Sequence, residues 1–280
     1  MNNKKSIITG TVLASLLLLS SIESSSAVSH NHIRTNTGGI YITGQYRPGV
    51  SHFTNFSVKE TTTDTKVLVS YKKEQTSIDL TAHSNFNGIY TVKFQDNAAS
   101  FSGAIGYSYT EGLRLEVEGS YETFDVKDPK DYSAKDAFRF FALARPTSST
   151  PPIENYKYTV MKNNGLSVAS IMINGCYDLS FNNVVVSPYI CAGIGEDFIE
   201  FFDTLHIKFA YQGKLGISYY LSPKINIFAD GYYHRVIGNK FKNLNVNHVV
   251  ELTDFPKPTS AVATLNVAYF GGEAGVKLTF

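Results

Sequence analysis

Apolar and polar residues alternate along this chain in eight separate stretches, and the last of them is the plainest. Over residues 264–280, TLNVAYFGGEAGVKLTF, one row holds Phe270, Gly272, Ala274, Val276, Leu278 and Phe280. The other row holds Asn266, Glu273, Gly275, Lys277 and Thr279. A period of two means a strand with one dry and one wet face. The same alternation marks residues 39–47, 100–109, 113–122, 165–178, 184–196, 209–221 and 225–237. It is sharpest at 113–122, where Leu113, Leu115, Val117, Gly119 and Tyr121 oppose Arg114, Glu116, Glu118, Ser120 and Glu122. Pro188 lacks a ladder donor, so a bulge or a local gap in pairing is expected beside it.

The connections add a second pattern. Long polar stretches at 49–97, 126–164 and 238–263 alternate with short turns at 110–112, 181–183 and 222–224, and a shorter loop is expected near 197–208. Membrane barrels have an even strand count, short turns at the periplasmic end and long loops outside. The fold class expected is therefore all-β: a transmembrane antiparallel up-and-down β-barrel of eight strands with long extracellular loops. Pieces at 66–71 and 89–94 would raise the count to ten if they also crossed. Residues 133–144 read as a short loop helix with Ser133 as its N-cap.

Composition sharpens this picture. The chain has 18 Tyr, 19 Phe and 21 Gly but no Trp, and the aromatics fall at strand ends. Tyr107, Tyr109, Tyr177, Tyr219 and Phe280 lie at the short-turn ends; Tyr46, Phe101, Tyr121, Tyr211 and Tyr233 lie towards the loops. Two aromatic rings are what the two headgroup regions favour. Residues 1–27 carry Lys4 and Lys5, an apolar run and then Ser-Ser-Ser-Ala, the pattern of a secretory signal cleaved after Ala27. Residues 28–37 read as a polar periplasmic lead, and 38–280 as a single barrel domain. Removing Lys4, Lys5 and Glu23 takes the formal net charge from +1 to zero, so no nucleic-acid partner is expected.

The wet rows carry Arg47, Arg114, Glu116, Glu118, Glu122, Lys214, Asp230, His234, Glu273 and Lys277. Eight strands leave an interior just wide enough for side chains to fill it. Opposite charges there should pair into a structural network, the alternative being a narrow polar pathway. Glu116 and Glu118 have the spacing of an acid/base pair, but so has any pair two apart on one strand face. No nucleotide loop, nucleophile elbow or metal-ligand spacing occurs, so no catalytic residue, metal or cofactor is assigned. Cys176 and Cys191 fall on inner rows of neighbouring segments. A turn centred near 183–184 brings them nearly opposite, as a disulfide requires; two free buried thiols are the alternative.

Several phrases in order along the chain are similar to the major surface antigen family of Ehrlichia and Anaplasma. They are IYITGQYRPGVSHF, FSGAIGYSY, LEVEGSYETFDVKD, NGCYD, SPYICAGIG, YQGKLGISYYLSP and HRVIGN. The likeness spans the chain after the signal and fails in the long loops. It implies an outer-membrane protein of an intracellular bacterium, immune recognition, host contact through the loops, and porin-like behaviour in some members. The final strand also resembles the last strand of bacterial outer-membrane barrels, where a terminal aromatic, here Phe280, is an assembly signal. The partners implied are outer-membrane lipid, the barrel assembly machinery, and host surfaces or antibodies.

Overall fold

The computed structural model describes residues 38–61, 65, 67–109, 112–145, 158–179, 185–246, 248–249 and 260–280. The signal expected at 1–27 and the lead at 28–37 lie outside the described residues. The barrel is built from β1 (Gly39–Tyr46), β2 (Phe101–Ser108), β3 (Leu113–Phe124), β4 (Leu166–Asp178), β5 (Val186–Phe201), β6 (Thr204–Tyr220), β7 (Ile225–Val236) and β8 (Ala268–Thr279). Each pairs antiparallel with its neighbour in this order, and β8 pairs back to β1 from Tyr41↔Thr279 to Tyr46↔Ala274. The sheet closes at eight strands and leaves no free barrel edge.

The two rows of every strand face as their chemistry demands. Leu115, Val117, Ile171, Ile173, Ile190, Ile194, Leu215, Ile217, Ile227 and Val276 point outwards and are exposed. Arg47, Arg114, Glu116, Glu118, Glu122, Lys214, Asp230, His234, Glu273 and Lys277 are buried inside. An apolar exterior around a charged interior inverts the soluble arrangement and suits hydrocarbon, so the barrel is transmembrane. The aromatics ring both rims of this belt: Tyr46 packs on Phe101 at 5.7 Å on the loop side, and Tyr107 on Tyr109 at 4.9 Å on the turn side.

The structure corrects several sequence expectations. No loop occupies 197–208: β5 and β6 run on as a hairpin closed by Phe202 and Asp203, whose φ angles of 51° and 54° suit the two central residues of a tight hairpin turn. Acidic Glu196 and Glu200 sit on the outward row there and mask the alternation. The stretch 264–280 is two strands, because the chain leaves one sheet at Asn266 and enters the barrel at Ala268. Pro188 makes no bulge; the register continues through Pro188↔Ile217. Its carbonyl accepts from Leu179 N–H at 2.7 Å, so its missing N–H faces β4 just past the last paired residue, and no donor to β6 is lost.

The long connections are not plain loops. Three strands, Lys240–Asn245, Ser260–Asn266 and Thr54–Glu60, form one small sheet. His248–Val249, Tyr158–Lys162, Phe140–Ala144, Val67–Tyr71 and Phe86–Ile89 form a second. The piece at 66–71 thus contributes a strand outside the barrel, and 89–94 continues only to a single bridge, Phe94↔Val126. At 133–144 the expected helix gives way to a 3-10 turn, Ala137–Arg139, and the strand Phe140–Ala144. The run FFALA is apolar at every position because both of its faces are covered: Phe141 and Leu143 enter the core shared with the barrel, and Phe140 and Ala142 enter a second apolar cluster with Tyr71 and Tyr158.

These sheets cap the barrel mouth. Phe124, Tyr232 and Tyr269 from the barrel share one apolar core with Phe141, Leu143, Met161, Phe241, Leu244 and Leu265. Tyr90 stacks on Phe141 at 4.4 Å, and Phe124 meets Tyr269 at 5.1 Å. Fully burying each such side chain contributes about 1.5–3 kcal/mol, which holds ordered what would otherwise be long polar loops.

Candidate functional site

The barrel interior is organised on Arg47, which follows β1 directly and is completely buried. Its guanidinium forms ion pairs with Glu118, with Glu122 at 3.0 Å and with Glu273 at 2.7 Å, and donates to Gln212 Oε1 at 3.1 Å. The ring of Tyr232 lies 4.1 Å from the guanidinium carbon. Lys214 supplies the second cation, 2.5 Å from Glu118 and 2.9 Å from Glu273. Asn174 Nδ2 donates to Glu116 and Glu118 at 3.1 and 3.0 Å, while Asn174 Oδ1 accepts from Gln212 Nε2 at 2.7 Å. Five strands and the residue after β1 therefore meet in one network.

Towards the short turns, Arg114 pairs with Asp178 at 3.0 Å, while Tyr41 donates to Glu116 at 2.8 Å. Tyr189 donates to Asp230. Lys277 has no carboxylate partner within ion-pair distance among the described residues; its ammonium lies 5.4 Å from the Tyr41 ring. Towards the mouth, His234 contacts Asp197 at 2.9 Å and stacks on Tyr269 at 4.6 Å. Between Lys214, Asp230 and Lys277 a cavity of about 20 Å³ remains. That is room for a single water.

Cys176 and Cys191 lie directly opposite across the β4–β5 hairpin, with Cα atoms 4.0 Å apart, and are joined as a disulfide. Glu116 brings an oxygen within 4.8 Å of both sulfurs, but sulfurs bonded to each other are not thiolate ligands for a metal. The sequence-derived interior residues all lie inside. Sequence reasoning missed Asn174, Gln212, Tyr41, Asp178, Tyr189 and Asp197. All six sit on wet rows, so the period was a usable signal, but four are neutral, Asp197 lay in a supposed loop and Asp178 closes its strand, and they were not read as partners.

The cap has its own anchor. Glu60, buried, accepts from Arg145 Nε at 2.8 Å and from the Thr159 hydroxyl, tying the first long connection to the second. Burial pushes the Tyr158 phenol up to about 12, helped by the Asp79 carboxylate; its hydroxyl donates to the Thr81 carbonyl at 3.1 Å. At the surface, a 2.6 Å contact with Asp131 raises Lys73 above its ordinary range.

Comparison with known proteins gives matches over nearly the whole chain. A family model described as surface antigen matches residues 33–280. Major surface antigen 4 of Anaplasma marginale is 32% identical over 275 residues, covering 96% of this chain and 95% of that protein. Among solved structures, Neisserial surface protein A is a distant likeness at 14% identity, with a TM-score of 0.38 over 86% of this chain and 97% of the other.

Proposed function

The chain belongs to the surface antigen family, and on that premise we propose that it is an outer-membrane protein of an intracellular bacterium that displays its loop-built cap to the host. In this reading residues 1–27 direct export and are removed, 28–37 remain in the periplasm, and the apolar belt meets outer-membrane lipid. Phe280, exposed at the end of β8, is the signal for the barrel assembly machinery. Its N–H donates to the Ile40 carbonyl at 3.0 Å, which holds the terminus against β1. The cap is the part that antibodies and host surfaces meet. The network is structural, and no catalytic step is assigned to it.

The observation that carries this reading is the filled interior. Arg47, Glu118, Glu122 and Glu273 are buried together inside the barrel, and Phe124, Tyr232 and Tyr269 on the neighbouring strands belong to the cap core. That supports a display scaffold over a porin for small solutes. Single-channel recording of the protein in planar bilayers, with protease mapping of the same sample in vesicles, tests it. The expected result is no steady open level, with cuts confined to the connections between β1 and β2, β3 and β4, and β7 and β8. A stable ohmic conductance from the intact chain would overturn the scaffold reading. Protection of all three connections in intact cells would overturn display.

A further inference from the structure

The hairpin of β5 and β6 runs past the loop-side aromatic ring, and its outer face stays apolar. Leu205, Ile207 and Phe209 are 63%, 61% and 65% exposed, and Ile237, just beyond β7, is exposed beside them. Ile237 N–H donates to the Phe209 carbonyl at 2.7 Å, so the two stand on one rung. This strip continues the lipid-facing row of Tyr211, Leu215, Ile217 and Tyr219 without a break. The hairpin's inner face is already used: Ile199, Phe201 and Phe202 lie in the cap core.

Charge is divided across the strip. On the β5 side, Glu196 lies opposite Phe209 and Glu200 opposite Leu205, both exposed. On the β7 side, Arg235 lies opposite Tyr211 and is exposed. Lys240 and Lys242, also exposed, are held alongside β6: the Lys240 carbonyl accepts from Lys208 Nζ at 3.0 Å and the Lys242 carbonyl from His206 Nε2 at 2.9 Å. Among the described residues no ion pair is made by these five charges.

We propose that this strip is the contact surface for a second copy of the chain, related by a two-fold axis along the membrane normal. Such an axis lays strip on strip and turns each flank to the opposite flank of the other copy. Glu196, opposite Phe209, then comes near the partner's Arg235, which lies two residues along β6 opposite Tyr211, and Glu200, opposite Leu205 and further from the bilayer, comes near the partner's Lys240 and Lys242 beside Lys208 and His206. Ile207, at the centre of the strip, meets its own counterpart near the axis. Lipid headgroups would not call for carboxylates on one flank and cations on the other, whereas an isologous contact uses both. The continuity with the lipid-facing row sets the two copies side by side in one bilayer. The proposal rests on the membrane orientation argued above, not on display or conductance.

Cysteine crosslinking in phosphatidylcholine vesicles tests it, since the two native cysteines are bonded to each other and do not compete. Ile207→Cys should give disulfide-linked dimers under mild oxidation, while Val117→Cys, equally lipid-facing on β3, stays monomeric. In the Ile207→Cys chain, Glu196→Arg with Glu200→Lys should lower the crosslinked fraction about tenfold, from several weak pairs broken at once. Adding Arg235→Glu, Lys240→Glu and Lys242→Glu to that chain should restore it. Heat-dependent gel mobility confirms that each variant is folded. Equal crosslinking at both positions would mean random collision and overturn the proposal. So would a monomeric Ile207→Cys whose attached fluorophore is quenched by brominated lipid. A reversed-charge chain that fails to regain the dimer overturns the pairing of flanks.

Discussion

Arg47 and Glu273 meet at 2.7 Å across the seam where the first barrel strand closes on the last. They stand one step past the paired residues Tyr46 and Ala274, so each is the other's register neighbour. Neither could keep its charge here alone, because an isolated ion in the interior costs several kcal/mol. Closure of the barrel and neutralisation of its centre are therefore the same event.

Replacing Arg47 by Ala leaves Glu118, Glu122 and Glu273 facing one another without their shared cation. The expected loss is about 3–5 kcal/mol. Arg47→Lys should recover only part of it, because a single ammonium cannot reproduce the fork that reaches three carboxylates. Urea unfolding in micelles checks this; a midpoint for Arg47→Ala equal to that of the unmodified chain would show that the seam is not held by this group.

Leu115→Arg places a charge on the lipid face of β3, where Leu115 is 46% exposed, and should cost about 2–4 kcal/mol near the midplane. Ser120→Asn stays polar and small on the interior row, where the Ser120 hydroxyl is 3.2 Å from Glu122, and should be tolerated better. Comparing folded yields in vesicles decides between them. The reverse order would mean the strand faces the other way.

The Cys176–Cys191 bond closes a separation of 15 residues, and its loss should cost about 3 kcal/mol. Alkylation of the unreduced, denatured protein should modify neither cysteine. Two reactive thiols per chain, in membranes prepared without reductant, would place the pair in the free state.

Tyr158 gives the cap a pH limit. Burial holds its folded phenol at about 12, above the unfolded value of about 10, so the stability it contributes is full below pH 10. That contribution is lost as pH rises from about 10 through 12. Tyr158→Phe should flatten this loss, read as trypsin sensitivity of the cap against pH. An unchanged alkaline midpoint would remove Tyr158 from the account.

Deleting Phe280, or replacing it by Asp, should reduce the amount of heat-modifiable barrel in an outer membrane while leaving refolding in micelles nearly intact. Normal membrane levels after either change would reject its role as an assembly signal.

The sequence by itself determined the barrel strands and which way they face. A period of two puts every second side chain on the same side, and the apolar and charged rows of 113–122 admit only one facing once the outside is hydrocarbon. It also brought Cys176 and Cys191 close, because a hairpin register depends on one local turn. Pairing made far along the chain could be decided only by the tertiary structure. Thr54–Glu60 joins Ser260–Asn266, and Val67–Tyr71 joins Phe140–Ala144, through hydrogen bonds between backbone groups that every residue carries. Local pattern therefore reads only a strand-like piece at 66–71 and a short helix at 133–144 within long polar connections, and names no partner for either. The same holds for Asn174 and Gln212, neutral residues whose value to the network depends on which strands the barrel sets beside them. Local chemistry fixes a row and its face; the partner across the lumen exists only once the sheet has closed.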